Sequence, residues 1–214
     1  MLSGEAVSLG QARAIKSFLV ENKDNKEFQV MELIVHDCLI SDQDLTVVLE
    51  GVLAQEKLKS ITLSGVGVNE QSCELLCTAF AIHTVTDSVH TVNFTNIKVQ
   101  QKHLLNMLES LTEGLKLQHL SMNALNLGGL VDSMAIINAI HKLIVECFSL
   151  CELNLRGCSM SGNEFVVLSQ GLKENMTLRN LDLSYLDLSF TLASKQSYVK
   201  AFLENITEWI GSSE

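Results

Sequence analysis

The residues of this 214-residue chain with most chemistry to offer are its six cysteines and six histidines. Cys151 and Cys158 bracket the stretch ELNLRG, and Cys73 and Cys77 are four apart. On a helix that spacing puts both thiols on one face, where they could share a metal ion. Cys147 and Cys151 have the same spacing, although Cys151 falls where a strand begins. Tetrahedral zinc needs four convergent ligands. No C-x-x-C or H-E-x-x-H occurs, and the histidines are scattered at 36, 83, 90, 103, 119 and 141. G-x-S-x-G and G-x-G-x-x-G are also missing. Gly128-Gly129 opens a helical stretch without the lysine and hydroxyl residue of a phosphate loop. The expectation is therefore a non-enzyme with no catalytic, cofactor or metal residues. Its cysteines should serve as small buried hydrophobes.

The elements around these residues explain why they are there. Leu150, Leu153, Leu155, Cys158 and Met160 follow a spacing that recurs along the chain. It returns as Leu178, Leu181, Leu183, Leu186, Leu188 and as Leu117, Leu120, Met122, Leu125, Leu127. Earlier copies are Val89, Val92, Phe94, Ile97, Val99; Leu58, Ile61, Leu63, Val66, Val68; and Val30, Leu33, Val35, Cys38, Ile40. Six copies thus start at 30, 58, 89, 117, 150 and 178, with steps of 28, 31, 28, 33 and 28 residues. The alternation in Leu153-Asn154-Leu155 predicts a short strand with one buried face. Ser41-Asp-Gln-Asp44 and Ser161-Gly-Asn-Glu164 read as helix N-terminal caps. Apolar helix faces follow them: Leu45, Val48, Leu49 and Leu53, then Val166, Leu168 and Leu172. Strand, turn and helix in repetition predict a parallel sheet with helices on one side. A single repeat cannot bury its own apolar face, so neighbours must stack.

The motif resembles that of the leucine-rich-repeat family, L-x-x-L-x-L-x-x-(N/C)-x-L, and its commonest step resembles the ribonuclease-inhibitor-like subtype. The resemblance implies an α/β curved solenoid, with a parallel sheet on the concave side and helices on the convex side. It covers one domain, 1–214: a helical cap over 1–29, six repeats over 30–193, and a second helical cap over 194–214. Within the caps, Ala14, Ile15, Phe18 and Leu19, and then Val199, Phe202, Leu203 and Ile206, should face inward, with Trp209 covering the last repeat. The step of 33 predicts a helix longer by about a turn before residue 150. Cys38 and Cys158 occupy the motif's N/C position, where a polar atom can bond the turn backbone. Val66, Ile97, Leu125 and Leu186 depart from it, which predicts looser turns in those repeats.

In such a solenoid the residues between the strand leucines line the concave face. That set is rich in Ser, Thr and Asn and carries one arginine, a composition poor in the Trp, Tyr and Arg that anchor interfaces. The exception is the C-terminal end, where Glu152, Asn154, Arg156, Asn180, Asp182 and Tyr185 are the candidate protein-binding residues, with His119 and Asn123 beside them. Charges such as Asp42, Glu70 and Glu164 mark a competing surface on the rim and helices.

A formal charge of −10 argues against nucleic acid or an anionic membrane as partner and is compatible with a basic protein surface. The N-terminus lacks the pattern of a signal peptide, and the most apolar stretch, 134–148, is too short and polar to span a bilayer. Reduced thiols and a cytoplasmic, monomeric protein follow as expectations. Asn93, Asn175 and Asn205 begin glycosylation triplets that would matter only on an extracellular route. The reading is a non-enzymatic interaction module, an adaptor or scaffold. The resemblance leaves open a regulator of a small GTPase, nuclease or actin, and an effector delivered into a host cytosol.

Overall fold

The computed structural model describes residues 1–4, 6–25, 27–85, 89–112, 116–125, 127, 132–189 and 195–212. The Gly128-Gly129 pair lies outside them. Each repeat contributes one strand to a parallel sheet and one helix behind it. The elements in chain order are β1 (Leu2–Ser3), β2 (Ala6–Val7), α1 (Leu9–Glu21), β3 (Glu32–His36), β4 (Leu39–Ile40) and α2 (Asp42–Val52). Next come β5 (Ser60–Ser64), β6 (Gly67–Val68), α3 (Glu70–Val85), β7 (Thr91–Thr95), β8 (Lys98–Val99) and α4 (Gln101–Thr112). The last are β9 (His119–Asn123), α5 (Ser133–Glu146), β10 (Glu152–Asn154), β11 (Ser159–Ser161), α6 (Gly162–Glu174), β12 (Asn180–Asp182), β13 (Asp187–Ser189) and α7 (Lys195–Ser212).

The main sheet has seven strands in the order β1-β3-β5-β7-β9-β10-β12, all pairings parallel. The register matches the sequence repeat: Leu33 lies opposite Ile61, Ile61 opposite Val92, Val92 opposite Leu120, Leu120 opposite Leu153 and Leu153 opposite Leu181. These residues point at the helices. From Leu33 to Leu153 they are buried, and Leu181, in the last strand, is half-buried. One continuous apolar core runs the length of the stack.

The turn that ends each strand is the same in every repeat. Gly4, Asp37, Gly65, Asn96, Ala124, Gly157 and Tyr185 all have φ between 49° and 70°, the left-handed region. This position falls just before the motif's N/C residue. Its amide donates across to the carbonyl one residue earlier in the next repeat: Asp37 to Ser64, Gly65 to Thr95, Asn96 to Asn123, Ala124 to Arg156 and Gly157 to Ser184, at 2.8–3.0 Å. The ladder therefore continues through the turn. The prediction of looser turns in the repeats lacking Asn or Cys is not met: Val66, Ile97 and Leu125 are simply buried as apolar plugs while the backbone keeps one conformation. Cys158 does bond backbone, its Sγ donating to Met122 O at 2.8 Å. At the far end of the helices, Gln55 and Asn175 are buried and reach back one repeat, donating to Leu19 O and Ile144 O. Asn175, thus enclosed, is a structural residue rather than a glycan acceptor, and Asn205 donates to Ser169 Oγ.

Several expectations change in detail. The N-terminal segment is more than a helix: Leu2–Ser3 and Ala6–Val7 pair with β3 and β4, forming a shortened seventh rung. Ser8 caps α1 in a reciprocal box with Gln11, as Ser161 does with Glu164 in α6. Phe18 faces outward at 52% exposure and meets Phe28 edge-on, while Ala12 takes the buried place expected for Ala14. In α7, Phe202 stacks on Phe165, and Ile206 and Trp209 pack on the core. Val199 and Leu203 instead face solvent. The 33-residue step is not a long helix, since α5 has 14 residues against 16 in α3. Its helix starts nine positions past Ala124, whereas α2, α3, α4 and α6 start five past their left-handed residue. Most of the extra residues therefore precede α5.

If the left-handed turn sets the rung spacing, Gly157→Ala should cost about 1–2 kcal/mol from backbone conformation alone. A methyl there has room, its nearest neighbour being Ala124 Cα at 3.7 Å. Gly10→Ala, in the first turn of α1, should gain a few tenths of a kcal/mol, up to about 1 kcal/mol. Denaturant midpoints of the two variants should therefore move in opposite directions.

Candidate functional site

The cysteines are placed as architecture. Cys38, Cys73, Cys147 and Cys158 are buried and all six are free thiols. Burial pushes the Cys158 thiol up to about 11, and burial with the neighbouring Cys77 pushes Cys73 up to about 12. Thiols held so far above neutral are poor nucleophiles and poor ligands. Cys73 and Cys77 lie 3.8 Å apart, and Cys73 donates to His103 O. Among the described residues no three of His, Cys, Asp and Glu converge as a metal site. No helix of the described chain is long and apolar enough to cross a membrane.

The concave residues sort into rows by register. Across the sheet, Glu32, Ser60, Thr91, His119, Glu152 and Asn180 form one row, and Ile34, Thr62, Asn93, Ser121, Asn154 and Asp182 the next. Over the central strands these side chains are half-buried by one another. Ser121 Oγ and Asn123 Oδ1 are enclosed without a hydrogen-bond partner among the described residues, so the sequence-predicted Asn123 is less available than its position suggests.

The C-terminal end is different. Strands β9, β10 and β12 bring His119, Glu152 and Asn180 side by side. His119 Nδ1 lies 2.9 Å from Glu152 Oε2, and Asn180 Nδ2 donates to Glu152 Oε1 at 2.7 Å. The bonds from Asn180 and His119 hold the Glu152 carboxyl below its ordinary range. Two residues along β10 and β12, the side-chain oxygens turn back on their own chain. Asn154 Oδ1 accepts from Arg156 N–H and Asp182 Oδ1 accepts from Ser184 N–H, at 3.0 and 2.9 Å. Those bonds from Ser184, aided by the positive charge of Arg156, lower the Asp182 carboxyl too. These Asx turns lead the chain into the left-handed residues Gly157 and Tyr185.

Arg156 and Tyr185 meet across that boundary. The guanidinium carbon lies 4.7 Å from the ring centroid, a cation–π contact. Tyr185 is 77% exposed although its φ is 58°, a conformation that glycine takes freely and a bulky residue does not. The sequence brings Arg156, Asp182 and Tyr185 to one end, as the structure does. Arg179, also close in sequence, joins only through its backbone, which donates to Cys151 O. What sequence reading missed is the strained backbone at Tyr185. The signal was legible, since aligned positions carry Gly, Asp, Gly, Asn, Ala and Gly.

Fold and face together define a leucine-rich-repeat solenoid with a polar concave sheet and a charged, aromatic C-terminal end. No protein-family model matches the chain, and no curated protein matches it. Among solved structures, it is similar to the tropomodulin C-terminal domain of Caenorhabditis elegans, with 10% identity over 90% of this chain and 93% of that one, at a TM-score of 0.42. An internalin from Listeria monocytogenes is 11% identical over 84% of this chain, at a TM-score of 0.48. This chain spans 45% of that structure. Leiomodin-1 actin-binding site 2 is 16% identical over 94% and 92% of the two chains, at 0.40.

The lowered carboxylates make a pH prediction. A depressed folded-state pKa contributes stability above the unfolded value and loses it as pH falls through the carboxylate range. A Glu152→Gln/Asp182→Asn variant should therefore lose less stability than wild type between about pH 5 and pH 3. Urea melts at the two pH values measure this; an equal acid loss in both proteins would show that these bonds do not hold the carboxyls ionised.

Proposed function

We propose that this chain is a non-enzymatic protein-binding module, an adaptor or scaffold component. A partner would engage the concave C-terminal end through Glu152, Asn154, Arg156, Asn180, Asp182 and Tyr185, with His119 and Asn123 at its inner margin. The observation that carries this reading is Tyr185. Left-handed backbone costs a non-glycine residue about 1–2 kcal/mol, and a side chain left mostly in water returns little of that through burial. Such an outlier points to use by something outside the fold. Its ring, braced by Arg156, is the kind of rigid aromatic–arginine pair that anchors interfaces. The reading as a ribonuclease-inhibitor-like repeat rests on the 28-residue steps and a full helix in each described repeat. A cytoplasmic, monomeric protein with reduced thiols remains the proposal that goes with it.

Tyr185→Gly separates binding from folding. It should leave stability unchanged within about 1 kcal/mol, since relief of the backbone offsets the lost ring contact. Together with Arg156→Ala it should remove the partner captured by wild type from a lysate. Retention of the same partners by the folded double variant would sink this site.

A further inference from the structure

The two ends of the solenoid carry matching leftovers. In six rungs the amide of the left-handed residue donates to a carbonyl of the next rung, from Gly4 to His36 at the start to Gly157 to Ser184 at the end. Among the described residues, the seventh such donor, Tyr185 N–H, has no acceptor. Ser3 lies in register with His36, whose carbonyl faces back toward β1. The Ser3 carbonyl therefore faces out of the sheet, in the place that His36 O and Ser184 O hold in their own rungs. β1 and β12 are the two edges of the main sheet, and an unpaired edge is a template for another strand.

Apolar surface is left over at the same two ends. Leu181, Leu183 and Leu186 are half-buried, whereas Leu153, Leu155 and Cys158, their counterparts one rung earlier, are buried. Beside them Val199, Leu203 and Ile210 form an exposed stripe on α7. The charges along that stripe are already paired within the chain, Lys200 with Glu204 and Glu208 with Lys173. At the opposite end Leu2, Ala6, Ala14 and Ile15 line a cleft between β1, β2 and α1 that has no charged side chain. A solenoid normally closes on a polar outer face, and here both closing faces carry apolar surface where a further rung would sit.

We propose that these ends fit each other: a second copy of this chain seats its β1 and α1 on β12 and α7 and continues the solenoid. Tyr185 N–H donates to Ser3 O of the second copy, repeating the bond that joins every pair of rungs. Leu203 and its neighbours meet the cleft beside Ala14 and Ile15, uncharged surface against uncharged surface. A strongly acidic or basic partner finds nothing to pair with at either end. The contact is heterologous, so each pair keeps two open ends and association can pass beyond two copies. One short strand and one helix flank make less than the interface of a stable dimer. The dilute chain is accordingly monomeric, and association grows with concentration. Copies that each carry a net charge of −10 repel at a distance, so added salt strengthens it. The contact is independent of a partner on the concave face, because it uses the Tyr185 amide and the sheet edge rather than the Tyr185 ring.

The test is sedimentation velocity of the full chain from about 5 μM to about 500 μM. Leu203→Glu blocks one end and Ala14→Glu the other. Both residues are exposed, so both variants should keep a urea midpoint close to wild type. The expected result is a wild-type average mass that rises with concentration past two chains, while each variant alone stays monomeric. An equal mixture of the two variants should form dimers and nothing larger, since each supplies the end the other lacks. Wild type that stays monomeric throughout would overturn the second copy and leave the α7 stripe to a helix of a different protein. A wild-type dimer that Ala14→Glu does not disturb would mean a symmetric pairing of α7 with α7, and would overturn the head-to-tail contact. A mixture of the variants that stays monomeric would overturn it as well.

Discussion

Everything in this molecule depends on the left-handed turn that closes each strand. A rung of five residues or fewer cannot bury its apolar side chains alone, and stacking buries them only if every rung leaves the sheet at the same place. The positive φ at Gly4, Asp37, Gly65, Asn96, Ala124, Gly157 and Tyr185 enforces that. It swings the chain from the sheet toward the helix and aims one amide at the neighbouring rung. The hydrogen-bond ladder thereby crosses the turn, and Leu33, Ile61, Val92, Leu120 and Leu153 fall into one buried line.

The same device builds the concave C-terminal face. Asn154 and Asp182 each spend one side-chain oxygen on the Asx turns that precede Gly157 and Tyr185. Turn formation thus decides which atoms a ligand can reach. Arg156 is held between two turns, its own and the next, and Tyr185 rises beside it because the backbone there is left-handed. Elsewhere on the sheet, small side chains cover one another. The face changes character where β10 and β12 shorten to three residues.

Much of this could be read from the chain. The leucine spacing gave rung positions to the residue, because period-two alternation and a fixed repeat length are strong constraints. The helix caps at Ser41 and Ser161 were equally plain. The exact facing of the end helices was not, since Phe18, Val199 and Leu203 have a neighbouring repeat on one side only and periodicity cannot say which side is open. The apolar run in the 33-residue step mimics a longer helix, whereas α5 has 14 residues and starts nine positions past Ala124. The candidate site residues were legible as a list. Their hydrogen-bond bookkeeping was not, because whether Asn154 offers an oxygen or an amide depends on a turn two residues long.

The central claim is that the concave C-terminal end, and Tyr185 within it, faces a partner. The most direct measurement is amide hydrogen exchange of the full chain, free and with its bound partner. The account predicts slowed exchange over residues 152–157 and 180–187, with the helices α2 to α6 unchanged. Protection confined to those helices, with the amides around Arg156 and Tyr185 exchanging as in the free protein, would contradict it.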